Sequence, residues 1–233
     1  GVFAGSFTLE AAQHVASDEH IDAWAALDHL GALVDKSLVL AEGDPVPRYR
    51  LLETARAYAL ERLAEVGETG RLLRRHAEAM LALLAAYEKD DRRWRTTPAD
   101  TVALVAELDN LRAALAWVAT AAEGADLVVP LAGVSDHVWL AAVHLVEGLE
   151  RCLALRQHVH DGVPARDVVA RYWLALARLG MYSMRRESFD AALQAAELYG
   201  LLGDDSRRYN ALVLVAAQGM RFGSLQEMEW AIA

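Results

Sequence analysis

Apolar side chains recur at helical spacing through most of this chain, and the one place where the rhythm changes organises its first third. From Arg48 to Gly67 the sequence opens as an extended run and continues as an amphipathic helix, with Leu51, Leu52, Ala55, Tyr58, Ala59 and Leu63 on one stripe. Gly67 is placed to end that helix. Lys36 to Ala41 predicts a partner strand, and Gly43, Pro45 and Pro47 in the loop between forbid helix there. Upstream, Thr8 predicts an N-cap for a helix running to Ala16. A second helix is expected from Ile21 to Val34, turning Trp24, Leu27, Leu30 and Leu33 or Val34 inward. Two helices, a two-stranded wing and a closing helix predict a winged-helix subdomain over residues 1–70.

Residues 71–100 read as a connecting helix and linker, because a helix from Gly70 to Tyr87 gives way to a charge-dense stretch ending at Pro98. Arg71, Arg74, Arg75 and His76 cluster at the start of that helix, where positive charge opposes the helix dipole, so they are expected to form a solvated face or to answer an acidic neighbour rather than to serve the helix itself. From residue 101 onward helix follows helix, at about 102–122, 144–159, 166–184, 188–202, 205–222 and from 225 to the end. Pro130 is tolerable only in the first turn of its helix. Gly180 and Gly219 lie 39 residues apart, and Leu176, Met181, Phe189 and Ala192 recur at that offset as Val215, Met220, Met228 and Ala231. A weaker copy puts Val143 in the glycine position and Cys152 in that of Phe189. The period predicts tetratricopeptide-like helical repeats over residues 101–233, although Ser183, Ala196 and Asp204 stand where that pattern has Tyr, Phe and Pro. The expected fold class is therefore mainly α, a winged-helix subdomain with a β-hairpin followed by helical repeats. Neither end carries a cap, so the chain is expected to be part of a larger parent.

Composition narrows the chemistry. A 233-residue chain that is 55% hydrophobic can fill a core. No uncharged apolar run reaches the roughly 18 residues of a membrane span and no signal segment opens the chain, so a cytoplasmic protein is expected. The single cysteine, Cys152, excludes an internal disulfide and a thiolate zinc site. Net charge is −10, and residues 1–70 hold five Lys and Arg against twelve Asp and Glu, which argues against a phosphate-binding surface on the wing. A DNA-reading winged helix remains the alternative.

Candidate sites follow from spacing. In helix A of the repeats, Leu174, Ala177, Met181, Met184 and Arg185, with Val213 and Met220 one repeat on, would line an inner surface that could take a protein or small effector, or simply pack. His137, His144, His158 and His160 invite a metal reading, but His158 and His160 point to different faces of a helix, and no metal is expected. Gly133-Val-Ser-Asp-His137 lacks the second glycine of a nucleophile elbow. Trp94 sits among arginines at the linker and is expected to lie on the junction or stack on a partner. Gly31-Ala-Leu-Val-Asp-Lys-Ser37 ends like a phosphate loop but has Asp35 where the essential glycine belongs, so no nucleotide site and no catalysis are expected in this chain.

Three strings carry a resemblance: Val2-Phe-Ala-Gly-Ser-Phe-Thr-Leu-Glu-Ala-Ala12; Leu33-Val-Asp-Lys-Ser-Leu-Val39 with Arg48-Tyr-Arg-Leu-Leu-Glu-Thr54; and Glu107-Leu-Asp-Asn-Leu-Arg-Ala-Ala-Leu115. In this order they resemble the bacterial signal-transduction ATPases with numerous domains, in the branch of predicted ATPases and transcriptional regulators. The resemblance implies a nucleotide-binding domain, with ATP or ADP and magnesium, before Gly1, and a winged helix packed against it. It implies a DNA-binding or output domain ahead as well, and a regulatory, sensing role for this part, with the nucleotide-binding domain and a protein or small-molecule effector as partners; no membrane and no direct DNA contact are expected, on the apolar run lengths and charge given above. Related switches carry Met-His-Asp at the turn into the winged helix's last helix; Leu51, Leu52 and Glu53 occupy those positions, and Leu52 cannot donate to phosphate. Leu52 and Glu53 are thus the positions at which nucleotide or interdomain sensing would be read.

Overall fold

The computed structural model describes residues 1–43, 47–90, 97–159, 164–183 and 185–222. They are mainly helical, with one two-stranded antiparallel hairpin, and they fall into two compact units: residues 1–82 with 105–125, and residues 83–104 with 126–233. The expected boundary near residue 70 is thus replaced by one that brings a later helix into the first unit.

In the first unit, α1 spans Leu9–Ala16 and α2 spans Ala23–Asp35. Each starts where a side-chain oxygen meets an orphan amide: Thr8 Oγ1 accepts from the Ala11 N–H at 3.2 Å and Asp22 Oδ1 from the Ala25 N–H at 2.7 Å. Strands β1 (Val39–Glu42) and β2 (Arg48–Leu51) pair in the register Val39↔Leu51 to Glu42↔Arg48. β1 begins three residues later than Lys36, because Ser37 adopts φ 55° and turns the chain out of α2 before it can extend. Helix α3 (Glu53–Glu65) follows and stops at Gly67, whose φ of 73° is the left-handed conformation glycine adopts without strain. α4 runs Thr69–Ala86, α5 Pro98–Val105 and α6 Leu108–Val118; the last residues of α4, and all of α5 but its final residue, are counted with the second unit. The single helix expected over 102–122 is therefore two, broken where Glu107 turns inward.

The core of this unit gathers around Phe3 and Phe7, whose rings stack at 4.2 Å between centroids, with Val15, Leu30 and Val39 against them. Phe7 also exchanges two 2.8 Å backbone hydrogen bonds with Tyr49, adding one rung to the hairpin. Trp24, expected inside, is 76% exposed, while Ala26 and Leu30 supply the buried face of α2. Leu30 is buried and Leu27 and Val34 are half-buried, as the helical period predicts, so the expected stripe misses only at Trp24 and Leu33, with Ala26 taking the inward place near the start of the helix.

In the second unit, α7 (Val128–Val134), α8 (Asp136–Ala141) and α9 (Leu145–Leu155) precede three longer helices, α10 (Arg166–Leu179), α11 (Arg186–Leu202) and α12 (Asp205–Phe222). Pro130 sits in the first turn of α7, as its missing N–H requires. α10 packs on α11 and α11 on α12. Gly180 lets the first pair close: a Cβ there would stand 2.2 Å from that of Ser188. Trp139 is buried, its indole N–H donating to Ser135 Oγ at 3.1 Å, and Gly148 lies so close that a Cβ would meet its ring at 2.5 Å. The helix expected from residue 225 onward, with Met228 and Ala231, lies outside the described residues, as do Trp94, His160 and Met184.

Candidate functional site

Two features of the first unit stand out, a polar latch and an apolar groove. The latch starts on α6. Asn110 is buried, and its Oδ1 accepts from the backbone N–H groups of Ala4 (3.0 Å) and Gly5 (3.1 Å). Its Nδ2 donates to Ser6 O at 2.8 Å and to Glu107 Oε2 at 3.0 Å, so both oxygen and amine are satisfied in fixed orientation. The other Glu107 oxygen accepts from Arg48 Nη2 at 2.6 Å, and Arg48 also donates to Ser6 Oγ and Ser6 O, each at 2.9 Å. Arg56 of α3 donates to Phe3 O at 2.7 Å. The residue 3–7 segment, the hairpin and α6 are thereby held by charge-assisted hydrogen bonds. The three strings that carry the sequence resemblance are the ones that meet here.

Beneath this loop His76 is buried with neither ring nitrogen hydrogen-bonded, its edge toward the Phe3 ring. Burial, only partly opposed by the nearby Asn110 side chain and aided by the charge of Arg56, pushes it down to about 4, so it is neutral at pH 7. The arginines at the start of α4 are partly solvated, and each also has a partner. Arg71 pairs with Asp18 at 3.1 Å, Arg74 with Glu78 at 2.9 Å, and Arg75 donates to Val15 O at 3.3 Å.

The groove, of about 790 Å³, lies between α2 and α3. Leu30 and Leu33 form one wall, Ala55, Ala59 and Leu63 the other, and Phe3 and Phe7 lie at its base. The stripe predicted on α3 faces it, and no residue of α3 is fully buried. Leu52 occupies the N-cap of α3 without a side-chain cap, and the exposed Glu53 meets the latch only at its edge, 3.8 Å from Arg56.

In the second unit the buried carboxylate of Asp136 accepts from Arg171 Nη2 at 2.7 Å and Arg178 Nη1 at 3.2 Å. Glu88 also pairs with Arg171, whose Nη2 stands 3.2 Å from His137 Nε2. This cluster ties α8 to α10. Of the expected inner surface, Leu174 and Ala177 are instead in the packed interior, Met181 and Arg185 are half-buried, and Val213 and Met220 on α12 are exposed. These residues do not share one open face, because α10 is wrapped by α7 and α11 where α12 is not. Ser135 donates to Ala132 O and accepts from Trp139, so it is a packing hydroxyl, and burial pushes the Cys152 thiol up to about 12, away from nucleophilic chemistry. Among the described residues no three His, Cys, Asp or Glu side chains gather as metal ligands, and no helix is long and apolar enough to cross a membrane.

With this geometry in view, comparison with known proteins gives a direction. The chain is similar to mycobacterial transcriptional regulators. Proteins of Mycobacterium tuberculosis and Mycobacterium bovis provisionally named HTH-type transcriptional regulators are 34% identical to it over 230 residues, covering 90% of this chain. The chain spans about a quarter of their length, 24%. An uncharacterized Mycobacterium tuberculosis protein is 44% identical over 77 residues, or 32% of this chain and 20% of that protein. No protein-family profile and no solved structure matches.

The latch residues Arg48, Glu107 and Asn110 were not singled out from sequence. The available signal was a pair of polar side chains, Glu107 and Asn110, one helical turn apart at the edge of an apolar stripe.

Proposed function

We propose that this chain is a non-catalytic regulatory part of a transcriptional regulator, a cytoplasmic signal-transduction ATPase in its full length. In that reading the first unit is a winged helix that passes the state of a nucleotide-binding domain to tetratricopeptide-like helices, which receive a protein or small effector. The full protein would use ATP or ADP with magnesium, and this chain would hold neither. The names of the longer relatives support a regulatory role. The succession α10, α11, α12 with its close approach at Gly180 supports the repeat reading, and exposed Val213 and Met220 leave α12 a surface for a partner.

The observation that carries this reading over a DNA-reading wing is the direction of the hairpin's cations. Arg48 is turned inward onto Glu107, which leaves Arg50, in an exposed pair with Glu42 at 3.3 Å, as the hairpin arginine a phosphate backbone could meet. A single exposed arginine in a unit rich in acidic side chains is a poor phosphate surface, and recruiting Arg48 as well would require breaking its latch. A gel shift at low salt tests it: no retardation of any duplex is expected, and salt-sensitive retardation abolished by Arg50→Ala would favour the DNA reader. Calorimetry with ATP and magnesium is expected to show no binding to this chain, and micromolar binding would overturn the non-catalytic reading.

A further inference from the structure

We propose that Arg171 of α10 is an anion site of the second unit, occupied by the carboxylate of Glu88 from the same chain and open to a carboxylate-bearing effector that displaces it. Arg171 is 7% exposed, and its donors are unevenly served. Nε is paired with Glu88, and Nη2 donates to Asp136 at 2.7 Å and stands 3.2 Å from His137 Nε2. Nη1 is buried with no hydrogen-bond partner. A buried charged donor without an acceptor is destabilising, so the site gains from a ligand that brings one oxygen more than Glu88 delivers. Burial, and after it the charge of Arg178, push the guanidinium well below its ordinary range, with Arg207 adding to the push and Tyr199 opposing it.

The two carboxylates that meet Arg171 differ in how they are held. Asp136 belongs to the packed interior, fully buried on α8, and its other oxygen accepts from Arg178, two turns along α10, at 3.2 Å. Glu88 lies in the short turn Tyr87–Asp90 that follows α4, in the same unit, with its side chain 19% exposed. Glu88 is therefore the one that can leave without opening the core. Charge then selects the ligand. Because Asp136 is shared, Glu88 supplies the rest of the counter-charge at Arg171, a single negative charge that another carboxylate replaces one for one. A phosphate monoester, at about −1.5 to −2, would leave surplus negative charge beside Asp136. The planar guanidinium fork also matches a carboxylate. The inference deepens the proposed function, on which it rests for the idea that the second unit receives an effector, by naming that effector's chemistry.

The test is calorimetry of lactate, a monoanion whose hydroxyl offers the extra oxygen, on the 233-residue chain at an ionic strength held constant with chloride. Glu88→Gln removes the competing charge at a partly exposed position and is expected to tighten lactate at least about tenfold, because a tethered group competes at millimolar effective concentration. Phosphate is expected to bind that variant at least about tenfold more weakly than lactate. Adding Arg171→Lys, which keeps the charge and loses the fork, should erase the tightening. Glu88→Asp, whose carboxylate is drawn back by one methylene, should fall between, and it carries the comparison if the glutamine variant is unstable. In the unaltered chain, saturating lactate should speed amide exchange in the last turn of α4 and slow it in α10. A blocked peptide with a single glutamate, run beside lactate, separates the sources of the carboxylate: tighter lactate marks a small acid and tighter peptide an acidic segment of a partner, and either upholds the site. Lactate binding no different from chloride in both Glu88 variants, phosphate as tight as lactate, or a tightening that survives Arg171→Lys would overturn the inference and leave the cluster a structural ion pair. The gel shift and ATP calorimetry read neither Glu88 nor lactate, so this inference and the functional proposal can fail separately.

Discussion

Replacing Asn110 by alanine should unlock the first unit more than any other single surface-sparing change. The side chain makes four hydrogen bonds, two accepted from the Ala4 and Gly5 amides and two donated to Ser6 O and Glu107. At a net worth of about 0.5–1.5 kcal/mol each, they sum to about 2–6 kcal/mol, and Ala4 is exposed enough for water to recover part of that. About 3 kcal/mol is therefore expected for Asn110→Ala, a drop of roughly 12–24 °C in the unit's Tm at the usual proportion for a domain of about 100 residues. Urea unfolding followed by amide exchange at Phe7 and Tyr49, whose rung lies next to the latch, separates this unit from the other. Asn110→Asp sharpens the argument. It keeps the acceptors but sets a second carboxylate against Glu107 in a buried place, so its folded-state pKa is raised. That raises stability at low pH, with the benefit lost as pH climbs from about 4 through the raised value. The aspartate variant should thus be weaker than the alanine one at pH 7 and overtake it on acidification. A change below about 0.5 kcal/mol for Asn110→Ala, or no pH dependence separating the two variants, would refute the latch.

Three further outcomes are expected. His76 is held near 4 against an ordinary value near 6.5, so the unfolded chain binds the extra proton first, and stability falls as pH drops from about 6.5 toward 4, by about 3 kcal/mol in full; His76→Phe should flatten the pH 5–7 part of the urea-midpoint profile. Val143 holds a β-branched residue at φ 59° while fully in solvent, so Val143→Gly should stabilise the second unit by about 1 kcal/mol in thermal melts, strain relief outweighing glycine's entropy. Gly180→Ala forces a methyl against the Ser188 Cβ and should lower that unit's Tm, with Ser188→Gly restoring part of it in the double variant.

Local pattern sufficed for much of this fold. Thr8 and Asp22 are caps because their side chains reach amides three residues on, and Gly67 ends α3 because only a left-handed residue fits there; each is settled by neighbours in sequence. The hairpin and the run of helices in the second half follow from the same short-range periodicities. Even the expectation that Arg71 and its neighbours stay solvated or answer acidic partners came from the helix dipole, without knowing that Asp18 would be the partner.

Tertiary structure decided what lies between elements. Period alone does not say where along its length an apolar stripe meets a neighbour, so Trp24 at the start of α2 read as core and stands in solvent while Leu30 on the same stripe is buried, and Leu174 and Ala177 read as a binding face and lie inside. The latch joins residues about a hundred positions apart, Ala4 and Asn110, and no periodicity encodes a hydrogen bond across that distance. The sequence by itself determined which segments are helix and strand, because those are largely short-range free energies, while some limits, such as the break before α6 where Glu107 turns inward, were set by packing. Which faces those segments bury, and the open groove they leave, depended on all of them packing at once.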